Sequence, residues 1–190
     1  IDHPKSTTEQ LSQLIKGPDF PTGGLIFNKQ DIHQAYATGR GGVVNRGEAE
    51  VVEKKPGQSQ IIISSIPYQV SKAEMIIKMA ELVHDKKLEG IKDIRDESDR
   101  EGLQVAIDLS RDAHPQKVLN ALYKHTDLER TFHFNMVGLV DGVQPQLLGL
   151  KSLLEKFIEH RKVVTERRAK FDLARAEDRA HILLGLKKAL

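Results

Sequence analysis

Between Ile61 and Leu109 the spacing of apolar residues changes period twice, and the chain reads there as strand, helix, strand. Ile61, Ile62 and Ile63 form a β-branched run suited to a pleated surface, and Pro67 closes it by removing a backbone donor and disfavouring helix at Ile66. Ser71 and Glu74 stand at capping-box spacing, so a helix begins there. Ile76, Met79, Ala80 and Val83 recur at helical spacing as one apolar stripe, and Gly90 suits the stop. Leu103, Val105, Ile107 and Leu109 alternate with Gln104, Ala106 and Asp108, the pattern of a strand with one buried face. The densest charge of the chain, Lys92 to Glu101, lies between that helix and that strand.

The flanks follow the same logic. Ser6 and Glu9 form another capping-box pair, Leu11, Leu14 and Ile15 share a helix face, and Gly17-Pro18 stops the helix. GPDFPTGG, residues 17 to 24, is a connector whose Pro and Gly serve the turns, and it leads into a short strand, Leu25 to Phe27. Asp31 to Thr38 is a short helix, followed by Gly39-Arg40-Gly41-Gly42. Val43 to Val52 reads as one strand, with Val43, Ala49 and Val51 on one side and Arg46, Glu48 and Glu50 on the other. A turn at Lys54 to Gly57 returns the chain as a strand from Gln60 to Ile66.

Beyond the central unit, Asp112 to Pro115 opens a helix that buries Val118, Leu119 and Leu122. Phe132, Phe134 and Met136 alternate with Thr131, His133 and Asn135 as a half-buried strand. Asp141-Gly142 is a two-residue hairpin signal, which puts Pro145 at a strand edge or end. From Leu150 to Leu190 there is no Pro, and Gly185 is the one weak point, so the segment reads as a single helix of about 60 Å at ~1.5 Å per residue. Ala169, Leu173, Ala176, Ala180 and Leu183 step by four and three along it, the spacing of a coiled-coil seam, and the small alanines leave room for a close partner helix. The expected class is α+β: a mixed or antiparallel sheet with packed helices over residues 1–149, then a long helix over 150–190.

Composition narrows the chemistry more than it names it. With 190 residues, 39% hydrophobic and 29% charged, the chain can bury a core. There is no Cys, so disulfides and thiolate metal sites are excluded, with weak support for a reducing compartment. No apolar run approaches the ~20 residues of a membrane span, and no secretion signal opens the chain. The start at Ile1 without Met suggests a piece of a longer protein. A formal charge of +2 argues nothing by itself about nucleic acid, so the case depends on where the cations sit.

The eight histidines contain no HExxH and no i, i+4 pair, so no bound metal is expected. Asp93, Asp96, Glu97 and Asp99 resemble a magnesium or acid/base cluster in type, which would make the chain a metal-dependent enzyme. The interleaved Lys92, Arg95 and Arg100 favour an ion-pair network bracing helix against sheet instead. The Gly39 to Gly42 stretch lacks the GK[ST] ending of a P-loop and the preceding strand of a dinucleotide fingerprint. Two readings stay open for Arg40: a phosphate contact from a loop whose glycines allow close approach, or a structural pair for a nearby carboxylate. Arg40 and Arg46 are the leading candidates for DNA phosphate contacts, followed by Asn45 and Lys72, with Lys54 and Lys55 weighted below Arg46.

IPYQVSK (66–72), LEGIKDIRDESDREG (88–102), YATGRGG (36–42), GPDFPTGG (17–24) and RAEDRAHILLGL (175–186) together resemble the A subunit of bacterial type IIA topoisomerases, that of DNA gyrase more than its topoisomerase IV counterpart. The family usually carries Asn at position 71 where this chain has Ser, and both cap helices well. The resemblance implies the tower domain over 1–149 and, from 150, the first arm of an antiparallel coiled coil whose return arm is absent, so that the helix pairs with another copy. It implies a polypeptide that breaks and rejoins DNA through a tyrosine in a preceding winged-helix domain. Tyr36, Tyr68 and Tyr123 match other parts of the pattern, so this segment alone is not catalytic. It further implies three partners: double-stranded DNA, a gyrase B-type subunit, plus a second copy of the gyrase A chain in a homodimer. ATP and Mg²⁺ would be used by the whole enzyme through the partner subunit, with no cofactor on this segment, in the bacterial cytoplasm beside the chromosome. The segment's own work would be to grip and bend the cleaved duplex and link it to a distant dimer gate. The alternative is a structural module that self-associates through the long helix without touching DNA.

Overall fold

Fourteen elements follow one another in the computed structural model, which describes residues 1–140 and 142–189, Lys55 without its side chain. They are α1 (Thr8–Leu14), β1 (Leu25–Phe27), α2 (Lys29–Thr38), β2 (Arg40–Arg46), β3 (Ala49–Lys55), β4 (Gln58–Ile63), α3 (Lys72–His84), β5 (Ile91–Asp96), β6 (Val105–Leu109), α4 (Pro115–His125), β7 (Glu129–Asn135), β8 (Val137–Val140), β9 (Gln144–Leu147) and α5 (Leu150–Ala189). Every strand pair is antiparallel, in sheets ordered β1-β2-β7, β3-β4-β6-β5 and β8-β9. The class is α+β, as the patterning implies.

The larger core lies between the four-stranded sheet and helices α3 and α4. Ile61 and Ile63 of β4, Ile107 and Leu109 of β6, Met75 and Met79 of α3, and Leu122 of α4 all lose essentially their whole surface there. Ser71 caps α3 by accepting from the Glu74 N–H. Its buried stripe is Met75 and Met79 flanked by Ile76, Leu82 and Val83; Ala80, expected in it, is exposed. The helix ends at His84 rather than running to Gly90. Lys86 adopts φ +57°, the Lys87 N–H donates to Leu82 O and the Lys86 N–H to Val83 O, which is a Schellman ending. Gly90 instead lies against Ala113 and Val118 at φ +84°, where a Cβ would stand 2.8 Å from the Ala113 methyl.

β6 is buried at all five positions, not on one face: Val105, Ile107 and Leu109 enter the core, while the Arg95 and Gln60 side chains of the flanking strands cover the Ala106 and Asp108 side; Leu103 precedes the strand. β5 is a strand hidden within the charged run, since Ile91 and Ile94 face the core while Asp93 and Arg95 face outward. The expected single strand from Val43 to Val52 is two strands in two sheets. Gly47 makes the crossing: its N–H donates to Leu128 O, and a Cβ would come within 2.4 Å of Ser65 O.

A smaller core joins α2, the β1-β2-β7 sheet and the start of α5 through Ile32, Tyr36, Val43 and Leu150. Gly39, at φ +77°, and Gly149 let the end of α2 meet the chain entering α5, because Cβ atoms there would lie 2.3 Å from Leu148 O and 2.5 Å from Ala37 O. The cap of α1 is Thr7 with Gln10, one residue beyond the expected Ser6 and Glu9, since the Ser6 hydroxyl donates to His3 O instead. Leu11 packs on the smaller core, but Leu14 is 82% exposed. At the β8-β9 hairpin Val140 pairs with Gln144, so three residues separate the paired positions where two were expected; Asp141 lies outside the described residues. α5 continues for 40 residues, and Leu150 is its one buried residue.

Candidate nucleic-acid interface

Strand β2 carries three of the four cationic or polar candidates, and its pleat divides them. Residues directly opposite in an antiparallel pair share a face. Arg40, Gly42, Val44 and Arg46 therefore stand on one face with Asn135, His133, Thr131 and Glu129 of β7, while Gly41, Val43 and Asn45 turn to the other. The second face is covered: Val43 is in the smaller core and Asn45 is 1% exposed.

The two ends of the first face differ. At one end Arg46 Nε donates to Glu129 Oε2 at 2.5 Å, and its terminal nitrogen also pairs with that carboxylate. The guanidinium lies 4.4 Å from the Phe27 ring centre and 4.3 Å from that of Tyr123, a cation held between two aromatic faces. The Tyr123 hydroxyl donates to Gly47 O, locking α4 over this end. At the other end Arg40 is exposed, and no carboxylate among the described residues lies within ion-pair distance of it. Arg40, Gly41, Gly42, His133, Phe134 and Asn135 line a shallow depression there.

The glycines beside Arg40 serve the protein's own packing. The Arg40 stretch is not a loop: Gly39 caps α2, and Arg40 already pairs with Asn135. Gly41 lies on Ala35, where a Cβ would stand 2.7 Å from the Ala35 methyl, and Gly39 lies on Leu148. The close approach expected toward a ligand is made within the fold.

Asn45 is enclosed and Lys72 is paired elsewhere. Both polar atoms of the Asn45 side chain are buried without a partner, beside Gly24, so Asn45 presents nothing to an outside ligand. Lys72 Nζ lies 2.7 Å from Asp96 Oδ2 and ties the first turn of α3 to β5. That contact, with bonds from Ser98, holds the Asp96 carboxyl down at about 2. Arg95 reaches Asp108 at 2.7 Å, Asp93 at 2.8 Å and Glu97 at 3.1 Å. The Asp108 carboxyl is lowered chiefly by Arg95, against burial, with help from Lys54 and Gln60. Of the three interleaved cations only Arg95 forms ion pairs; Lys92, Arg100 and Asp99 form none among the described residues, and the pair that braces helix against sheet comes from Lys72, outside the run. No group of three or more His, Asp or Glu among the described residues is arranged to hold a metal ion.

None of the tyrosines is placed as an activated nucleophile. Tyr36 is buried and its phenol raised by that burial; Tyr123 is raised by burial as well, and Tyr68 stacks on Phe20. Phe20, Tyr68, Phe132 and Phe134 form an aromatic chain that pins the 17–24 connector to β7. The sequence signal for it was the aromatic alternation in β7, which does not say what the rings meet. His133 and Asn135 were visible as the polar positions of that alternation, but only the β2-β7 register brings them to Arg40. Along α5, Ala169, Leu173, Ala176, Ala180 and Leu183 are all exposed, as are Phe157, Phe171, Ile182 and Leu186. Among the described residues no helix is long and apolar enough to cross a membrane.

Against known proteins, the profile of the family of DNA gyrase/topoisomerase IV A subunits matches residues 1–190. The chain is 48% identical over 190 residues to the DNA gyrase A subunit of Clostridium acetobutylicum, covering all of this chain and 23% of that protein. It is 50% identical over 188 residues to the probable chloroplastic/mitochondrial DNA gyrase A subunit of Oryza sativa subsp. japonica, covering 98% of this chain and 20% of that protein. The DNA topoisomerase 4 A subunit of Streptococcus pyogenes serotype M18 is 47% identical over 190 residues, with 100% and 23% covered. The chain therefore spans a fifth to a quarter of the length of these relatives, and identity separates the gyrase and topoisomerase 4 proteins by a single percentage point between the first and last of them.

Proposed function

This chain belongs to the family of DNA gyrase/topoisomerase IV A subunits, and from that premise we propose that it is the part of a type II topoisomerase A subunit that grips duplex DNA through backbone phosphates and transmits force from that grip along α5. Residues 1–149 act as the tower and 150–190 as the first arm of a coiled coil leading to the dimer gate. The observation that carries the reading is Arg40: an exposed guanidinium without a carboxylate partner among the described residues, at the open end of a sheet face, directly after Gly39, which packs on Leu148 at the root of α5. A phosphate contact from such a residue is indifferent to sequence, as a protein that handles any duplex requires.

The bond chemistry falls to the rest of the assembly: a tyrosine elsewhere in the gyrase A-like protein, and ATP and Mg²⁺ handled through a B-type subunit, with a second copy of the A chain completing the gate. The setting is the bacterial cytoplasm, beside the chromosome. Arg46 and Lys72, paired with Glu129 and Asp96, support the frame that presents Arg40, and Asn45 is buried within it.

Fluorescence anisotropy with a short duplex, between about 50 and 200 mM salt, tests this. Binding that weakens steeply with salt, with a slope shallower by about one in Arg40→Ala, is the expected result. Unchanged affinity and slope in that variant would overturn it. A second reading, self-association through α5 without DNA contact, draws on the exposed seam from Ala169 to Leu183. Sedimentation of a strict monomer at all concentrations would remove it.

A further inference from the structure

We propose that the depression between β2 and β7 is a built site for one DNA backbone phosphate, in which Arg40 supplies the charge and His133 and Asn135 supply oriented hydrogen bonds. The inference rests on the grip reading above and adds to it two residues and a stoichiometry. Arg40 pairs with Asn135 and Gly42 with His133, so the three side chains rise from two adjacent rows of one sheet face. None of the three side chains has a hydrogen-bond or ion-pair partner among the described residues. The depression measures about 510 Å³ and no carboxylate lines it. The nearest acid on this face, Glu129, is at the far end and already bound to Arg46.

Gly42 is what keeps the site open. A Cβ there would stand 2.9 Å from the Thr131 methyl and 3.2 Å from His133 Nδ1, so the imidazole lies directly over the glycine. The ring is held beside Arg40 by the absence of a side chain beneath it. A guanidinium offers a planar fork of donors, a carboxamide two more and an imidazole a ring N–H, while a phosphodiester offers only acceptors at its free oxygens. The donor set, with no acid to compete for it, fits a phosphate and rejects a cation.

The test measures duplex binding by anisotropy for the parent, Arg40→Ala, His133→Gln, Asn135→Ala and Gly42→Ala, with Lys117→Ala on α4 as a control and thermal melts to confirm folding. His133→Gln and Asn135→Ala are each expected to weaken binding about fivefold, the scale of one net hydrogen bond. Asn135→Ala keeps the parent's salt slope while Arg40→Ala loses about one unit of it, because only the second removes a charge. Gly42→Ala retains the imidazole but displaces it, and is expected to match His133→Gln. If Arg40→Ala weakens binding and the other three do not, the site is overturned while the grip stands. If no variant differs from the parent, or the parent binds no duplex, both fall. Inorganic phosphate is the second arm: displacement of duplex by low millimolar phosphate would mark a free-anion site and overturn the assignment to DNA.

Discussion

Arg40 and Arg46 begin and end the same strand, face the same way and carry the same charge, yet their neighbours give them opposite employment. Arg46 is neutralised by Glu129 and held between the rings of Phe27 and Tyr123. Arg40 has solvent around it, and its nearest companions are donors. The contrast shows that a basic residue becomes available for a phosphate by what the adjoining strand withholds. It also shows why the exposed end is rigid: Gly39 and Gly41 press it onto Leu148 and Ala35, so the open cation sits on a closed scaffold.

The largest disturbance of that arrangement is expected from Gly39→Ala. The residue is at φ +77°, and a Cβ would meet the Leu148 carbonyl at 2.3 Å, a backbone atom that cannot swing aside. Left-handed strain of about 1–2 kcal/mol and a clash of about 1–3 kcal/mol together predict a loss of ~3 kcal/mol. Urea unfolding would read it as a lower midpoint. A shift under about 0.5 kcal/mol would mean that the root of α5 is not clamped to the end of α2.

At the other end of the strand, Arg46→Met should cost about 2 kcal/mol. It strands a half-buried Glu129 and removes the cation from two ring faces, while leaving Arg40 untouched. The comparison predicts a split that one measurement of each kind can check: Arg46→Met lowers the unfolding midpoint and keeps the DNA salt slope. If it lowered the slope by a full unit and left stability alone, the two arginines would have exchanged roles.

The origin of that split was out of reach of sequence reading. Glu129 lies 83 residues from Arg46, and nothing local marks it as the partner. Where periodicity is strong the elements were legible: α3, α4, β6, β7 and α5 all form over the expected stretches, although α3 stops at His84 and β6 starts at Val105 and is buried on both faces. The failures have tertiary causes. Val43 to Val52 alternates well enough for one strand, but Gly47 packs under Ser65 and turns the chain into a second sheet. β5 hides in Lys92 to Glu101 because Arg95 pairs with Asp93 beside it and with Asp108 across the sheet, which lets a charged run be a strand. Asn45 looked like a polar candidate on an exposed hairpin; the pleat puts it inside.

A smaller effect separates structural cations from free ones by pH. Lys72 holds the Asp96 carboxyl at about 2, below its usual value near 4. The ionised carboxylate therefore stabilises the fold above about pH 4, and that contribution is lost as pH falls toward 2. Asp108, lowered chiefly by Arg95, acts with the same sign. Lys72→Met should thus melt below the parent at neutral pH and converge with it as the solution approaches pH 2. A gap that persists unchanged into strong acid would mean that Lys72 contributes through packing of its stem and not through Asp96.

The smallest expected change in stability belongs to the residue with the largest expected effect on binding. Arg40 has no ion pair and no hydrogen bond from its guanidinium among the described residues, so Arg40→Ala removes nothing the fold depends on. Its unfolding free energy should stay within about 0.5 kcal/mol of the parent. A loss above about 1 kcal/mol would reveal a structural partner for Arg40 and place it with Arg46. Near-neutral stability together with weakened duplex binding is the signature of a charge kept unpaired on a rigid strand for something outside the chain.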